Sequence, residues 1–279
     1  MLVSIVIPAC DAQGVLARAV GSLRAQAWDD WEAIIVADDL GDYAGVLAAQ
    51  GIIEPRLRFA TTGRRRSGCH RARNVGLALA RGALVGALDA DDLLRPHHLA
   101  TLAPLALHHG AAADNLAVVR EQDARLLYPV LGDAAAPRRL DLAALLALTA
   151  PLVPLVRREL AMPRLDGVEY AEDVIANLRL IGRLGSLLVV QDSLYEYRVA
   201  AGSIAHSPDA AAAFDRAYGD YVGRLAQGDG FGLPAELRAA AAAGLAGKRA
   251  LNAAFAAALQ AEPGLDFQAF VARRQAGPR

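Results

Sequence analysis

Short apolar runs recur through the first hundred positions, and between them apolar residues fall at helical spacing. Val3 to Ala9 is a nearly continuous apolar run, as a strand covered on both faces of a parallel sheet requires. Ala12 to Gln26 then sets Val15, Leu16, Ala19, Val20 and Leu23 on one helical face. Glu32 to Ala37 predicts a second strand, Tyr43 to Gln50 a short helix, and Arg58 to Ala60 a third strand. Ala72 to Ala80 predicts a helix and Ala83 to Leu88 a fourth strand. Strands and helices alternating at this size predict a parallel sheet with right-handed crossovers.

The pattern then changes. Leu116 to Val119 and Leu126 to Val130 read as a strand pair around a polar turn. Asp141 to Leu148 reads as a helix, Val153 to Val156 as a strand, and Glu172 to Ile181 as a helix, with short strands at Leu187 to Val190 and Tyr195 to Val199. From Pro208 onward the pattern is helical, Ala-rich over 235–261, with Gly228-Asp229-Gly230 as a break. The chain shows no internal repeat. The expected division is an α/β body over 1–206 and a helical C-terminal extension over 207–279.

Composition narrows the function classes. Of 279 residues, 54% are hydrophobic, which excludes global disorder. The 29 basic and 30 acidic residues leave a net charge of −1, which argues against a general nucleic-acid binder. Cys10 and Cys69 lack zinc-type spacing and suit a reducing cytoplasm. No secretory leader is read at Met1, and the longest later apolar stretch, Leu142 to Val156, is short and holds Pro151 and Pro154. A cytoplasmic protein is expected, whose Ala-rich tail offers a surface for a homodimer or for peripheral contact with the inner face of a membrane.

The chemistry concentrates in Asp89-Ala90-Asp91-Asp92, directly after the fourth strand. In open α/β sheets that is where ligands bind. Three clustered carboxylates repel and call for compensation, for which Mg²⁺ or Mn²⁺ is the natural hard cation, and such a cation holds a diphosphate. The plainer alternative is a solvated acidic turn capping the next helix, with Pro96 in its first turn. Four further features share the chain order: Pro8-Ala9-Cys10-Asp11 and Asp38 at strand ends, Gly68 to Asn74 leading into a helix, and Glu172-Asp173 opening another.

In this order the chain resembles the family 2 glycosyltransferases, inverting enzymes with the GT-A nucleotide-diphospho-sugar transferase fold, a mostly parallel, Rossmann-like central sheet. The matching segments are Ser4 to Pro8, Gln26 to Glu32, Ala72 to Gly76, Leu88 to Asp92, Glu172-Asp173 and Tyr197 to Val199, and the likeness covers roughly 2–206. It implies that Pro8, Ala9, Asp11 and Asp38 hold the nucleoside, usually uridine; a carboxylate suits the uracil edge because it accepts the ring N–H. The family's acidic pair here aligns on Ala37 and Asp38, so its first acid is absent unless Asp39 shifts to serve. Arg73 and Asn74 line the donor pocket by the same comparison, with Arg66 and Arg71 as further candidates, since arginines at a helix N-terminus suit a diphosphate. Asp91 becomes the main metal ligand, and Asp89, with Ala90 beside it, meets the ribose or the metal. Asp92 is left to cap the next helix.

The resemblance makes Asp173 the base that takes the acceptor hydroxyl's proton, with Glu172 beside it positioning acceptor or donor. His206 is a candidate metal or diphosphate contact, the alternative being a surface histidine. His97 and His98 are expected on the helix after the acids, toward the acceptor. The expected activity is metal-dependent inverting transfer from a nucleotide sugar, a UDP-sugar, to a hydroxyl of a glycan or lipid-linked acceptor. Two other readings stand beside it. A sugar-1-phosphate nucleotidyltransferase would show a Gly-rich phosphate loop after the first strand, and Pro8 to Gly14 is not one. A degenerate nucleotide-sugar-binding protein is kept open by Ala37.

Overall fold

A computed structural model describes residues 1–275 except 133–135, 151, 169, 200–209 and 266. The first part alternates as the apolar pattern predicts: β1 (Val3–Ala9), α1 (Leu16–Arg24), β2 (Trp31–Ala37), α2 (Tyr43–Ala49), β3 (Leu57–Thr61), α3 (Cys69–Leu79) and β4 (Leu84–Ala87). Every residue of β2 is buried, in keeping with a strand covered on both faces. β5 (Leu93–Leu94), α4 (His98–His109), β6 (Ala111–Ala113), β7 (Ala117–Arg120), β8 (Leu126–Pro129) and β9 (Arg138–Leu140) follow. Then come α5 (Leu142–Ala147), β10 (Leu155–Arg157), α6 (Glu172–Leu184), β11 (Leu187–Val189) and β12 (Tyr195–Val199). Three helices end the chain: α7 (Ala210–Ala226), α8 (Ala235–Ala261) and α9 (Phe267–Gln275).

The main sheet has the order β3-β2-β1-β4-β10-β6-β11-β9. β1 runs parallel to both β2 and β4, so the strand order reverses at β1, and a crevice opens beyond the carboxyl ends of these strands. β10 enters antiparallel between β4 and β6. A second sheet, β5-β12-β7-β8, stands beside it. α3 lies close over β1 because residue 76 is glycine: a Cβ there would sit 2.2 Å from Val6 Cγ1. That contact seals a small apolar cluster of Val6, Ile34, Val36, Ala72, Ala80 and Val85.

The stretch after the acids departs from expectation. It forms β5 and not the start of a helix, because Leu94 and Leu93 pair antiparallel with Tyr195 and Glu196 of β12. Pro96 precedes the helix, and its carbonyl accepts from Ala27 N at 2.7 Å. Long-range pairing here outweighs the local helix-start signal.

The terminal helices pack into the body. α8 rests on α5 at close range, and a Cβ on Gly244 would fall 2.5 Å from Leu146 Cδ1. Leu245 and Phe255 of α8 and Val271 of α9 belong to the same buried cluster as Val3 and Ile5 of β1. No helix among the described residues is long and apolar enough to cross a membrane.

Candidate active site

The crevice beyond β1 and β2 is shaped by carboxylates bonded to loop backbone. Ala9, at the end of β1 beside Pro8, accepts from the Asp38 N–H at 2.8 Å. The buried Asp38 carboxylate accepts from Thr62 Oγ1 at 2.7 Å, from Gly68 N at 2.9 Å and from Ser67 Oγ. Desolvation works to raise its pKa, but those hydrogen bonds together hold it below the usual carboxylate range. Asp39 is fastened likewise, accepting from Asp11 N and Tyr43 Oη at one oxygen and from Gly41 N at the other. Across the mouth, Arg66 pairs with Asp11, both well exposed. Asp11, Leu40, Arg66 and Ala171 all hold φ between 51° and 63° without being glycine. Each such residue stores about 1–2 kcal/mol, and strain of this kind gathers at functional sites.

At the end of β4 the three aspartates have different surroundings. Asp92 is 1% exposed and accepts from Tyr195 Oη at 2.8 Å and from Arg198 N at 2.7 Å. It therefore clamps β12 and caps no helix, which corrects the sequence expectation. Burial, then repulsion from Asp89 and Asp91, lifts its pKa well above the usual range. Ala90 is buried beneath the turn. Asp91 is exposed, and desolvation in the crevice followed by Asp89 raises it too. Asp89 takes an ion pair from Arg73 at 2.5 Å, and its N–H is 3.2 Å from Tyr195 Oη.

Arg73 reaches from the start of α3 to the start of α6. Its other guanidinium nitrogen pairs with Glu172, which lies 3.0 Å from Arg164 through its second oxygen. Burial alone would weaken Arg73's hold on its proton; Asp89, Cys69 and Asp173 reverse that and raise its pKa. Glu172 is 5% exposed. It holds two arginines in place and leaves the open side of α6 to Asp173. Asn74 also turns inward: its amide donates to Arg164 O at 2.9 Å and accepts from Arg164 N at 2.6 Å. Arg71 lies nearer the rim, 3.9 Å from the exposed Asp166.

Asp173 is half-buried and accepts from the adjacent Val174 N–H at 2.8 Å. It lines a cavity of about 370 Å³ together with Asp89, Asp92, Arg73 and Tyr197. The far wall comes from the terminal helices, including Phe214, Lys248 and Phe255. Lys248 donates to Leu148 O at 2.6 Å, and burial pushes its pKa down to about 8. It is the only lysine in the chain.

The geometry thus gathers Arg73, Asp89 and Asp173 on one cavity and sets Asp11, Asp38 and Arg66 at the neighbouring mouth. His206 lies outside the described residues. His98 does not face an acceptor: it is 4% exposed, 3.8 Å from Asp114, and burial pushes it down to about 3. Tyr195, Arg164 and Lys248 escaped the sequence reading. Only Lys248 left a trace there, as the lone lysine among 29 basic residues. No cluster of three or more metal-type side chains occurs among the described residues. Asp91 with Asp89 nevertheless fits a hard cation, because Mg²⁺ is commonly held by one or two carboxylates plus substrate phosphates. A cation there would relieve the repulsion that, after burial, adds to the upward shifts of Asp91 and Asp92.

A family model described as glycosyl transferase family 2 matches residues 4–145. The chain is 37% identical over 119 residues to the succinoglycan biosynthesis protein ExoO of Rhizobium meliloti (strain 1021), covering 42% of this chain and 34% of that protein. It is 36% identical over 105 residues to the O-antigen biosynthesis protein RfbC of Myxococcus xanthus, covering 37% and 8%. The matches therefore span about a third or less of these relatives' length. In three dimensions it resembles S. aureus TarS residues 1–349 in complex with UDP-GlcNAc, with TM-score 0.63 and 16% identity over 80% of this chain and 67% of that one. The α/β fold with its central sheet is thus that of a GT-A glycosyltransferase.

Proposed function

The chain belongs to glycosyl transferase family 2, and on that footing we propose that it is a metal-dependent inverting enzyme. It moves a sugar from a UDP-sugar to a hydroxyl of a glycan or lipid-linked acceptor. The observation that carries the reading is that Asp89, at the end of β4, and Asp173, at the start of α6, face one cavity, with Arg73 tied to Asp89 and to Glu172. The UDP and UDP-GlcNAc complexes of TarS support the donor class.

In this reading Asp91 and Asp89 would hold Mg²⁺ or Mn²⁺, which would supply charge neutralisation for the departing diphosphate. Asp38 takes the uracil N–H in this reading, as an acceptor-only carboxylate suits. Pro8, Ala9 and Asp11 bound the base, and Arg66 and Arg71 flank the phosphates at the mouth. Asn74 shapes the pocket through the Arg164 backbone, and Arg73 directs positive charge at the donor. Asp173 takes the proton from the acceptor hydroxyl as that oxygen attacks the anomeric carbon from the face opposite the diphosphate. Glu172 is a positioning residue, acting through Arg73 and Arg164.

Thermal unfolding with UDP, GDP and ADP, each with and without Mn²⁺, tests this. UDP with Mn²⁺ is expected to raise the midpoint most, since a ligand at 100 times its Kd adds about 2.7 kcal/mol. Equal shifts for all three nucleotides would sink the uridine assignment.

A further inference from the structure

The cavity that Asp173 faces extends well past any room a base needs. At about 370 Å³ it falls within the range, roughly 300–1,000 Å³, of sites that enclose a small organic ligand. Its lining joins two chemistries: the charged Asp89, Arg73 and Asp173, and the apolar Leu152, Met162, Phe214, Leu251, Phe255 and Phe267. Phe255 lies about two turns along α8 from Lys248, with its ring 5.2 Å from that of Phe267, so α8 leads from the charged part to an apolar end. Those apolar residues come from the loops around β10 and from all three terminal helices. Lys248 also lines the cavity, its ammonium on the Leu148 carbonyl and close enough to Asp173 to be favoured by that carboxylate's charge. A nucleotide sugar, with its diphosphate and hydroxyls, carries no alkyl or aryl tail to match the apolar end. Two hydrophilic partners would leave that end to be filled by water, against the grain of its lining.

We propose that this cavity is the acceptor subsite and that the acceptor is an amphipathic glycoside, with its sugar at Asp173 and Lys248 and its apolar aglycone among Phe214, Leu251, Phe255 and Phe267. The proposal rests on the glycosyltransferase reading and selects, within it, the class of acceptor. The terminal helices are then the acceptor-selecting part of the molecule. Burying the aglycone supplies affinity in proportion to the apolar area removed from water.

Isothermal titration of the full chain with octyl β-D-glucopyranoside below its micelle concentration, beside methyl β-D-glucopyranoside, tests this without donor. The octyl glycoside is expected to bind one site per chain at least tenfold more tightly than the methyl glycoside. Ala176→Leu on α6 and Ala211→Leu on α7 add bulk to the cavity wall at half-buried positions, and each is expected to cut the octyl affinity at least fivefold. Two variants on different helices guard against one failing to fold, which circular dichroism reports. Equal affinity for the two glycosides, or wild-type octyl affinity in a folded variant, overturns the proposal. UDP binding is measured separately, so loss of the donor reading and loss of the acceptor reading give different results.

Discussion

Glu172 and Asp173 are neighbours on the first turn of α6 with opposite surroundings: the first is buried between Arg73 and Arg164, the second opens onto the cavity. Asp173→Asn keeps the shape and removes the carboxylate proposed as the base. Transfer from the nucleotide sugar is expected to fall about 10²–10⁴-fold, with UDP affinity changed little. A wild-type transfer rate in that variant would reassign the base. Lys248 makes the pH argument. Burial takes its pKa from the ordinary 10.5 down to about 8, so between those values the unfolded chain binds the proton and the folded chain does not. Stability on account of this group therefore rises with pH from about 8 to 10.5, and the penalty is full below 8. Lys248→Met is expected to stabilise the protein by about 1–3 kcal/mol at pH 7, with a gain that shrinks toward pH 10, read by urea unfolding across that range. A pH-independent difference would show the lysine to be solvated.

At the scale of elements, the crevice beyond β1 depends on how closely α3 approaches that strand. Gly76→Ala puts a methyl into the side chain of Val6 and is expected to cost about 1–3 kcal/mol in spite of alanine's better helix propensity. Val6→Ala in the same chain should recover part of that loss in a double-mutant cycle, and strict additivity would contradict the contact. The sequence reading found β1 to β4, β7, β8 and β10 to β12, whose runs carry β-branched or aromatic residues, and missed β5, β6 and β9. β6 is Ala111-Ala112-Ala113, whose composition favours helix, and it becomes a strand only through pairing with β10 and β11. β5 is hidden for the same reason, since two leucines before Arg95-Pro96 acquire extended form from a partner a hundred residues on. The acid turn was legible because chemistry of that kind is carried by contiguous residues. The division of labour within it was not, because Asp92 is set apart by Tyr195 and Arg198, which reach it only in the folded chain.

For the molecule as a whole, the Ala-rich pattern after 207 announced helices but not their destination. Alanine and glycine leave little hydrophobic contrast between helix faces, so the face that meets α5 could not be told from the others. In the folded chain that face carries Ala241, Gly244 and Leu245, and the helices share one core with β1. Removing residues 208–279 is therefore expected to abolish cooperative unfolding of the remaining body, checked by circular dichroism on heating. A fragment that melts at the wild-type midpoint would make the tail a separate unit. The solitary lysine has a practical corollary. Arginine supplies every other basic side chain, so Lys248 carries the only ε-amine that an acylating reagent can find. Once the Met1 α-amine is discounted, mildly alkaline labelling becomes a footprint of a single wall, and the rate at which that ε-amine is blocked reports whether anything is sitting against α8.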